Sequence, residues 1–229
     1  MASDTNAVGR EAWIRTALFI PLLIVTLFAP AGSLRFWQAW LYCFVFIAGS
    51  IGIGLYFSKH DPKLVERRMR VGPVAEQEPA QKIIMTITLA EFVLLLVLPG
   101  LDYRWQWSAV PTWLVLAANA GVAVSFWIFF VVLKQNSYAA STITVEAGQP
   151  VISTGLYGIV RHPLYLGALL LLICTPLALG SYWTLLILFP TVPVLAWRLL
   201  DEERFLKQNL PGYVDYCRVT RFRLIPWIW

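Results

Sequence analysis

Charge is scarce in this chain. Only 14% of its 229 residues are Asp, Glu, Lys or Arg, whereas 59% are hydrophobic, and that balance excludes an ordinary soluble globule. Cysteine is scarce too. Cys43, Cys174 and Cys217 show no CxxC or zinc-type spacing, and two of them fall in apolar runs, so neither a disulfide framework nor a thiolate metal site is expected. The two histidines, His60 and His162, are far apart and no HExxH motif is present, which argues against a catalytic metal. No GxxxxGK[ST] loop occurs, and the glycines of GSIGIG (Gly49, Gly52, Gly54) sit inside an apolar run, where small residues more often serve close helix packing. Internal repeats and low-complexity tracts are likewise missing.

What the chain has in quantity is long apolar runs. Stretches near the length needed to cross a roughly 30 Å hydrocarbon layer occur at about Ala12 to Ala29, Phe36 to Phe57, Ile83 to Leu98 and Pro111 to Leu133. Two more, Leu164 to Leu179 and Tyr182 to Leu200, are separated only by Gly180-Ser181 and predict a helical hairpin. Trp and Tyr gather at the ends of these runs (Trp37, Trp40, Tyr103, Trp105, Trp107, Trp113, Tyr182, Trp183, Trp197), where amphipathic rings favour the lipid boundary. The expected fold is an all-α, polytopic integral membrane protein with about six hydrophobic segments. The first apolar run lacks a small-residue cleavage site and reads as a span rather than a removable signal.

Basic residues orient the array. With six crossings, sixteen of the eighteen Lys and Arg fall on one face, and only Arg35 and Arg104 on the other. The positive-inside rule then places both termini, the 58–82 loop and the 134–163 loop in the cytoplasm. The net charge of +5 is explained by this topology and by anionic headgroups, not by a nucleic-acid partner, because the basic residues flank spans. The 58–82 loop, with KHDPKLVERRMR, reads as a headgroup anchor.

The stretch Lys134 to His162 is the longest connection and has a different composition. It contains a β-like or extended portion (Thr142 to Val145, Val151-Ile152) and turns at Gly148 and Gly155. It then runs into the fifth span through RHP, residues 161–163. Proline suits a helix's first turn and biases the preceding residue away from helix, so His162 is predicted at the N-cap with Arg161 just outside. The free amides and positive dipole end favour an anion there. A hairpin turned at Gly180-Ser181 returns Arg198 and Glu202, which share a helix face, to the same end as Arg161 and His162. Glu203, about 100° further round, is expected to face elsewhere. Glu91, inside the third span, is an expensive intramembrane acid, expected either to line a substrate cavity or to pair with Asn119 or Ser125.

The block VISTGLYGIVRHPLYLG, followed by EERFLKQNLPGYVDYCRV and a terminal RLIPWIW, resembles the isoprenylcysteine carboxyl methyltransferase and phospholipid methyltransferase superfamily. The resemblance covers roughly residues 134–229, which it implies to be the catalytic core. Residues 1–133 are then membrane spans serving substrate access. It implies S-adenosyl-L-methionine as cofactor, held by Gln149, Pro150, Val151, Ile152, Tyr157, His162, Pro163, Leu164, Tyr165 and Glu202, with Arg198 and Arg161 as catalytic residues and Arg198 positioning the acceptor. The implied acceptor is lipidic or small and amphipathic, and carboxyl O-methylation of an isoprenylcysteine-like compound is favoured. Phospholipid N-methylation, thiol S-methylation, a nicotinamide-dependent reductase of the sterol-reductase kind and a non-catalytic membrane protein are the other readings.

Overall fold

The computed structural model describes residues 2–76 and 78–229, with side chains from Arg10 onward. Eight α-helices follow one another: α1 (Ala2–Ala31), α2 (Trp37–His60), α3 (Pro62–Met69), α4 (Pro79–Trp105), α5 (Thr112–Gln135), α6 (Pro163–Ala178), α7 (Leu188–Asn209) and α8 (Tyr213–Val219). A 3-10 turn, Trp183–Ile187, leads into α7. Five of these segments, Arg10–Ala31, α2, α4, α5 and Trp183–Asn209, are long and apolar enough to cross a membrane, and α6 is a shorter apolar helix. The protein is an integral membrane protein of all-helical architecture.

Each helix boundary has a local cause. The Asp61 side chain accepts the Leu64 amide at 3.1 Å and starts α3 at Pro62. Helix α6 begins at Pro163 with His162 at its N-cap, as the RHP sequence predicts. The last span was expected to end near Leu200 but continues as helix to Asn209. Nothing in residues 201–209 interrupts it before Leu210-Pro211-Gly212. The extended portion expected at 142–145 and 151–152 is irregular, because no strand lies beside it to share a ladder. The backbone on either side of 142–145 is met by side chains, as Arg198 donates to Ser141 O at 2.9 Å and Glu146 N donates to Gln149 Oε1 at 3.1 Å.

The main apolar cluster lies toward one end of the bundle. Leu27, Phe36, Tyr42 and Val122 are fully buried there, and Phe36 stacks on Tyr103 with ring centroids 4.5 Å apart. Between lipid-facing helices apolar burial alone gives little drive, so close packing and polar ties carry the specificity. Gly49 supplies the close packing expected of it, since a Cβ there meets the Phe126 ring at 2.5 Å. Gly52 and Gly54 have open space and do not. The aromatic residues Trp37, Trp40, Trp105, Trp107, Trp113, Tyr182 and Trp183 are exposed, in keeping with a boundary belt.

The hairpin turn is locked by Asp102, which is 2% exposed. Its carboxylate accepts from Ser108 N at 2.8 Å, from Ser108 Oγ at 2.7 Å and from Ser181 Oγ. Gly180 completes the reversal at φ +75°, a conformation that costs glycine nothing. The two arms do not pack closely on each other over their length. Helix α6 lies mainly against α5, and α7 diverges from it. Glu91 is 8% exposed with neither oxygen hydrogen-bonded. The expected pairing is not made: Asn119 donates to Val115 O and Ala178 O, and Ser125 donates to Gly121 O.

Replacing Asp102 by Ala removes the shared acceptor of three hydrogen bonds at the turn. The expected loss is about 3 kcal/mol, read as a lowered unfolding temperature in detergent, with Asp102→Asn recovering part of it.

Candidate functional site

At the end of the bundle away from Gly180, one cavity of about 280 Å³ opens between α3, the start of α4, the 136–162 segment, the start of α6, the end of α7 and α8. That volume sits at the lower edge of small-molecule sites. All twelve residues predicted from the sequence line it: Gln149, Pro150, Val151, Ile152, Tyr157, Arg161, His162, Pro163, Leu164, Tyr165, Arg198 and Glu202. The hairpin therefore closes as expected. Tyr165 Oη donates to Glu202 Oε2 at 2.6 Å, joining the first turn of α6 to the last turns of α7.

Glu203 makes the second join, contrary to the expectation that it faces elsewhere. It is 2% exposed. Its Oε1 accepts from Arg161 Nη1 at 2.7 Å, and its Oε2 lies 3.3 Å from Lys207 Nζ and 3.2 Å from Arg223 Nε. His162 Nε2 stands 3.5 Å from the same Oε1 but without hydrogen-bond geometry, and it has no partner among the described residues. The divergence of α7 from α6 rotates the acid pair so that Glu202 meets Tyr165 while Glu203 meets the RH dipeptide. Arg161 spends its remaining bonds on the tail, donating to Thr220 O and Arg221 O, each at 2.8 Å. The backbone follows the same path, as Arg161 N donates to Phe222 O and His162 N to Arg223 O, each at 2.9 Å.

Arg198 is held from three sides. It donates through Nε to Tyr165 Oη at 3.2 Å, through Nη1 to Gln81 Oε1 at 2.8 Å, and through Nη2 to Glu76 Oε1 and Ser141 O, both at 2.9 Å. Four of the five N–H groups of a guanidinium are thereby placed, and the side chain is a fixed strut in the cavity wall. Tyr157 is fixed similarly. Its hydroxyl accepts from Asn136 Nδ2 at 3.1 Å, and its carbonyl accepts from Tyr216 Oη at 2.7 Å. Burial pushes the Tyr157 phenol up to about 12 and raises those of Tyr213 and Tyr216 as well, so all three rings present neutral hydroxyls. Gly155 lets this segment pass the end of α5. At φ +61° it lies so close to Gln135 that a Cβ meets the amide at 2.2 Å, and Leu156 N donates to Gln135 Oε1 at 3.1 Å.

Two residues of the lining carry a buried polar atom without a hydrogen-bond partner among the described residues: Tyr213 Oη, and His162 Nε2, which faces the Glu203 carboxylate at 3.5 Å. Sequence reasoning missed Arg68, Met85, Tyr213 and Tyr216 in the wall and Glu76 and Gln81 behind Arg198. Only the tyrosines, which lie inside the quoted C-terminal block, carried a signal that pointed to them.

Residues 113–211, which span the RHP helix and the acid pair, match the phospholipid methyltransferase family. The match covers 99 of the chain's 229 residues. That family belongs to the superfamily that also holds the isoprenylcysteine carboxyl methyltransferases. The chain is also similar to part of a mouse Delta(14)-sterol reductase, 29% identical over 91 residues, which is 38% of this chain. The chain covers only 22% of that relative's length. The matched stretch begins after α4, yet Arg68 and Met85 from earlier helices also line the cavity.

Exchanging Glu203 for Gln weakens the ties to Arg161, Lys207 and Arg223 together. Amide hydrogen exchange at residues 161–162 and 220–223 is expected to rise at least about tenfold while the central helices keep their protection.

Proposed function

We propose that this protein is an S-adenosyl-L-methionine-dependent methyltransferase acting on a lipidic or small amphipathic acceptor, with residues 134–229 as its catalytic core. Carboxyl O-methylation of an isoprenylcysteine-like acceptor is the favoured reaction, and phospholipid amines and thiols are the competing acceptors. The observation that carries this reading is one cavity lined together by the RHP helix start, Tyr157, Tyr165 and Glu202, all of which lie in the stretch that matches the phospholipid methyltransferase family. The basic residues gathered at this end favour a cytoplasmic site and cytoplasmic termini.

The lining fits that cofactor chemically. Glu202 offers an anionic acceptor to an ammonium or to ribose hydroxyls. The first-turn amides of α6, with His162 beside them, face the polar end, and Tyr157 and Tyr165 flank the adenosine. When bound, S-adenosyl-L-methionine supplies a sulfonium methyl open to in-line displacement. The chain's own contribution is placement and dryness. Arg198, rigid through Glu76, Gln81 and Tyr165, keeps one N–H to orient an acceptor carboxylate. Because Glu76 already neutralises the guanidinium, it aligns the nucleophile without quenching it. Leu164, Val151, Ile152 and Met85 exclude water from the reacting atoms.

The sterol-reductase similarity supports a second reading, in which a nicotinamide cofactor occupies the cavity. A thermal-shift titration of the purified protein with S-adenosylhomocysteine and with NADPH separates the two, since a ligand stabilises the state that binds it. Stabilisation by S-adenosylhomocysteine is expected, with Glu202→Ala and His162→Ala each weakening binding about 10- to 100-fold. Stabilisation by NADPH alone contradicts the methyltransferase reading, and unchanged S-adenosylhomocysteine binding in both variants contradicts the roles given to Glu202 and His162.

A further inference from the structure

Four charged side chains line the cavity: Arg68, Arg161, Arg198 and Glu202. Two are already neutralised, Arg161 by Glu203 at 2.7 Å and Arg198 by Glu76 at 2.9 Å. Glu202 accepts only the Tyr165 hydroxyl, and Arg68 has no carboxylate partner among the described residues. The cavity thus presents one uncompensated cation and one uncompensated anion.

Arg68 differs sharply from its neighbour on α3. Arg67 grips the 136–146 segment, donating from Nε and Nη2 to Glu146 at 2.6 and 2.7 Å and from Nη1 to Ser137 O at 2.8 Å. That pairing holds the Glu146 carboxyl below the usual range. Arg68 makes a single hydrogen bond, from Nη1 to Ala139 O at 3.1 Å, so most of its fork is unused. Its backbone carbonyl accepts from Ser141 Oγ at 3.2 Å, which anchors the residue at the cavity wall. Burial lowers the guanidinium's affinity for its proton, yet arginine stays charged in proteins. Arg68 is half-buried, and a partly desolvated charge without a counterion favours an anion beside it.

We propose that Arg68 holds the carboxylate of the donor's methionine moiety while Glu202 takes its ammonium, so that the two unpaired charges of the cavity together recognise a zwitterion. The assignment rests on the S-adenosyl-L-methionine reading above. Arg68 is a positioning residue brought from the first half of the chain. It fixes the amino-acid end of the donor, leaving Arg198 for the acceptor.

The test compares S-adenosylhomocysteine with its decarboxylated analogue by calorimetric titration of the full chain in nanodiscs. The parent protein is expected to prefer the carboxylate form about tenfold or more, and Arg68→Gln to lose about 10- to 100-fold in S-adenosylhomocysteine affinity together with that preference. Arg68→Lys, which keeps the charge but not the fork, is expected to retain part of the preference. A parent protein that binds both compounds equally overturns the assignment without recourse to any variant. So does Arg68→Gln that keeps the preference, because the carboxylate is then held elsewhere. Both results leave the donor reading intact. Failure of the parent protein to bind either compound removes the donor reading and this assignment with it.

Discussion

The Glu203 carboxylate is the point on which this end of the molecule depends. Three parts of the chain that are distant in sequence meet there: the residues that open α6, the last turns of α7, and the tail beyond α8. Arg161, Lys207 and Arg223 supply cations and His162 stands against the same oxygen as Arg161. A carboxylate this deeply buried is tolerable only because so many donors surround it. Without it, the RH dipeptide loses its anchor and the segment that carries Tyr157 loses its floor. Glu203 shapes the cavity, yet it does not line it.

Around this anchor the charges of the site divide into two kinds. Arg161 with Glu203 and Arg198 with Glu76 are closed pairs that hold helices in place, and their strength is spent on architecture. Arg68 and Glu202 are open. The distinction between closed and open charges, more than the inventory of residues, says where a ligand's own charges belong. Tyr165 connects the two kinds, donating to Glu202 while accepting from Arg198. Tyr165 thereby ties the position of Arg198 to that of Glu202.

Much of this was legible in the chain because it is encoded locally. Apolar runs mark the spans, Pro163 marks the start of α6, and Gly180-Ser181 marks the reversal. These signals sufficed to bring Arg161, His162 and Glu202 together, along with the 149–152 segment. What was not legible depends on how helices choose partners. Helical periodicity shows that Glu202 and Glu203 differ by about 100°, but not which of them meets Tyr165 and which meets Arg161. The preference of α6 for α5 over its hairpin partner decides that. Gln81 and Glu76 reach Arg198 across more than a hundred residues of sequence, and no spacing announces such contacts. Arg68 lay inside a run of basic residues that reads as a headgroup anchor, and Arg67 and Arg68, adjacent in that run, do different work. The Asp102 knot at the far end was hidden in the same way, since Ser108 and Ser181 become its partners only after the chain has turned.

The short α6 has a mechanical consequence for the bilayer. Its 16 residues extend about 24 Å at the helical rise, several ångströms less than a typical hydrocarbon layer of about 30 Å. Lipids beside it must compress, or the helix end must sink below the headgroups, at a modest cost per ångström of mismatch. Pro163 and the cavity it borders are thereby drawn toward the acyl chains. On the methyltransferase reading proposed above, an amphiphilic acceptor with a small polar head reaches the cavity at the depth where it already rests, and does not have to lift its tail into water.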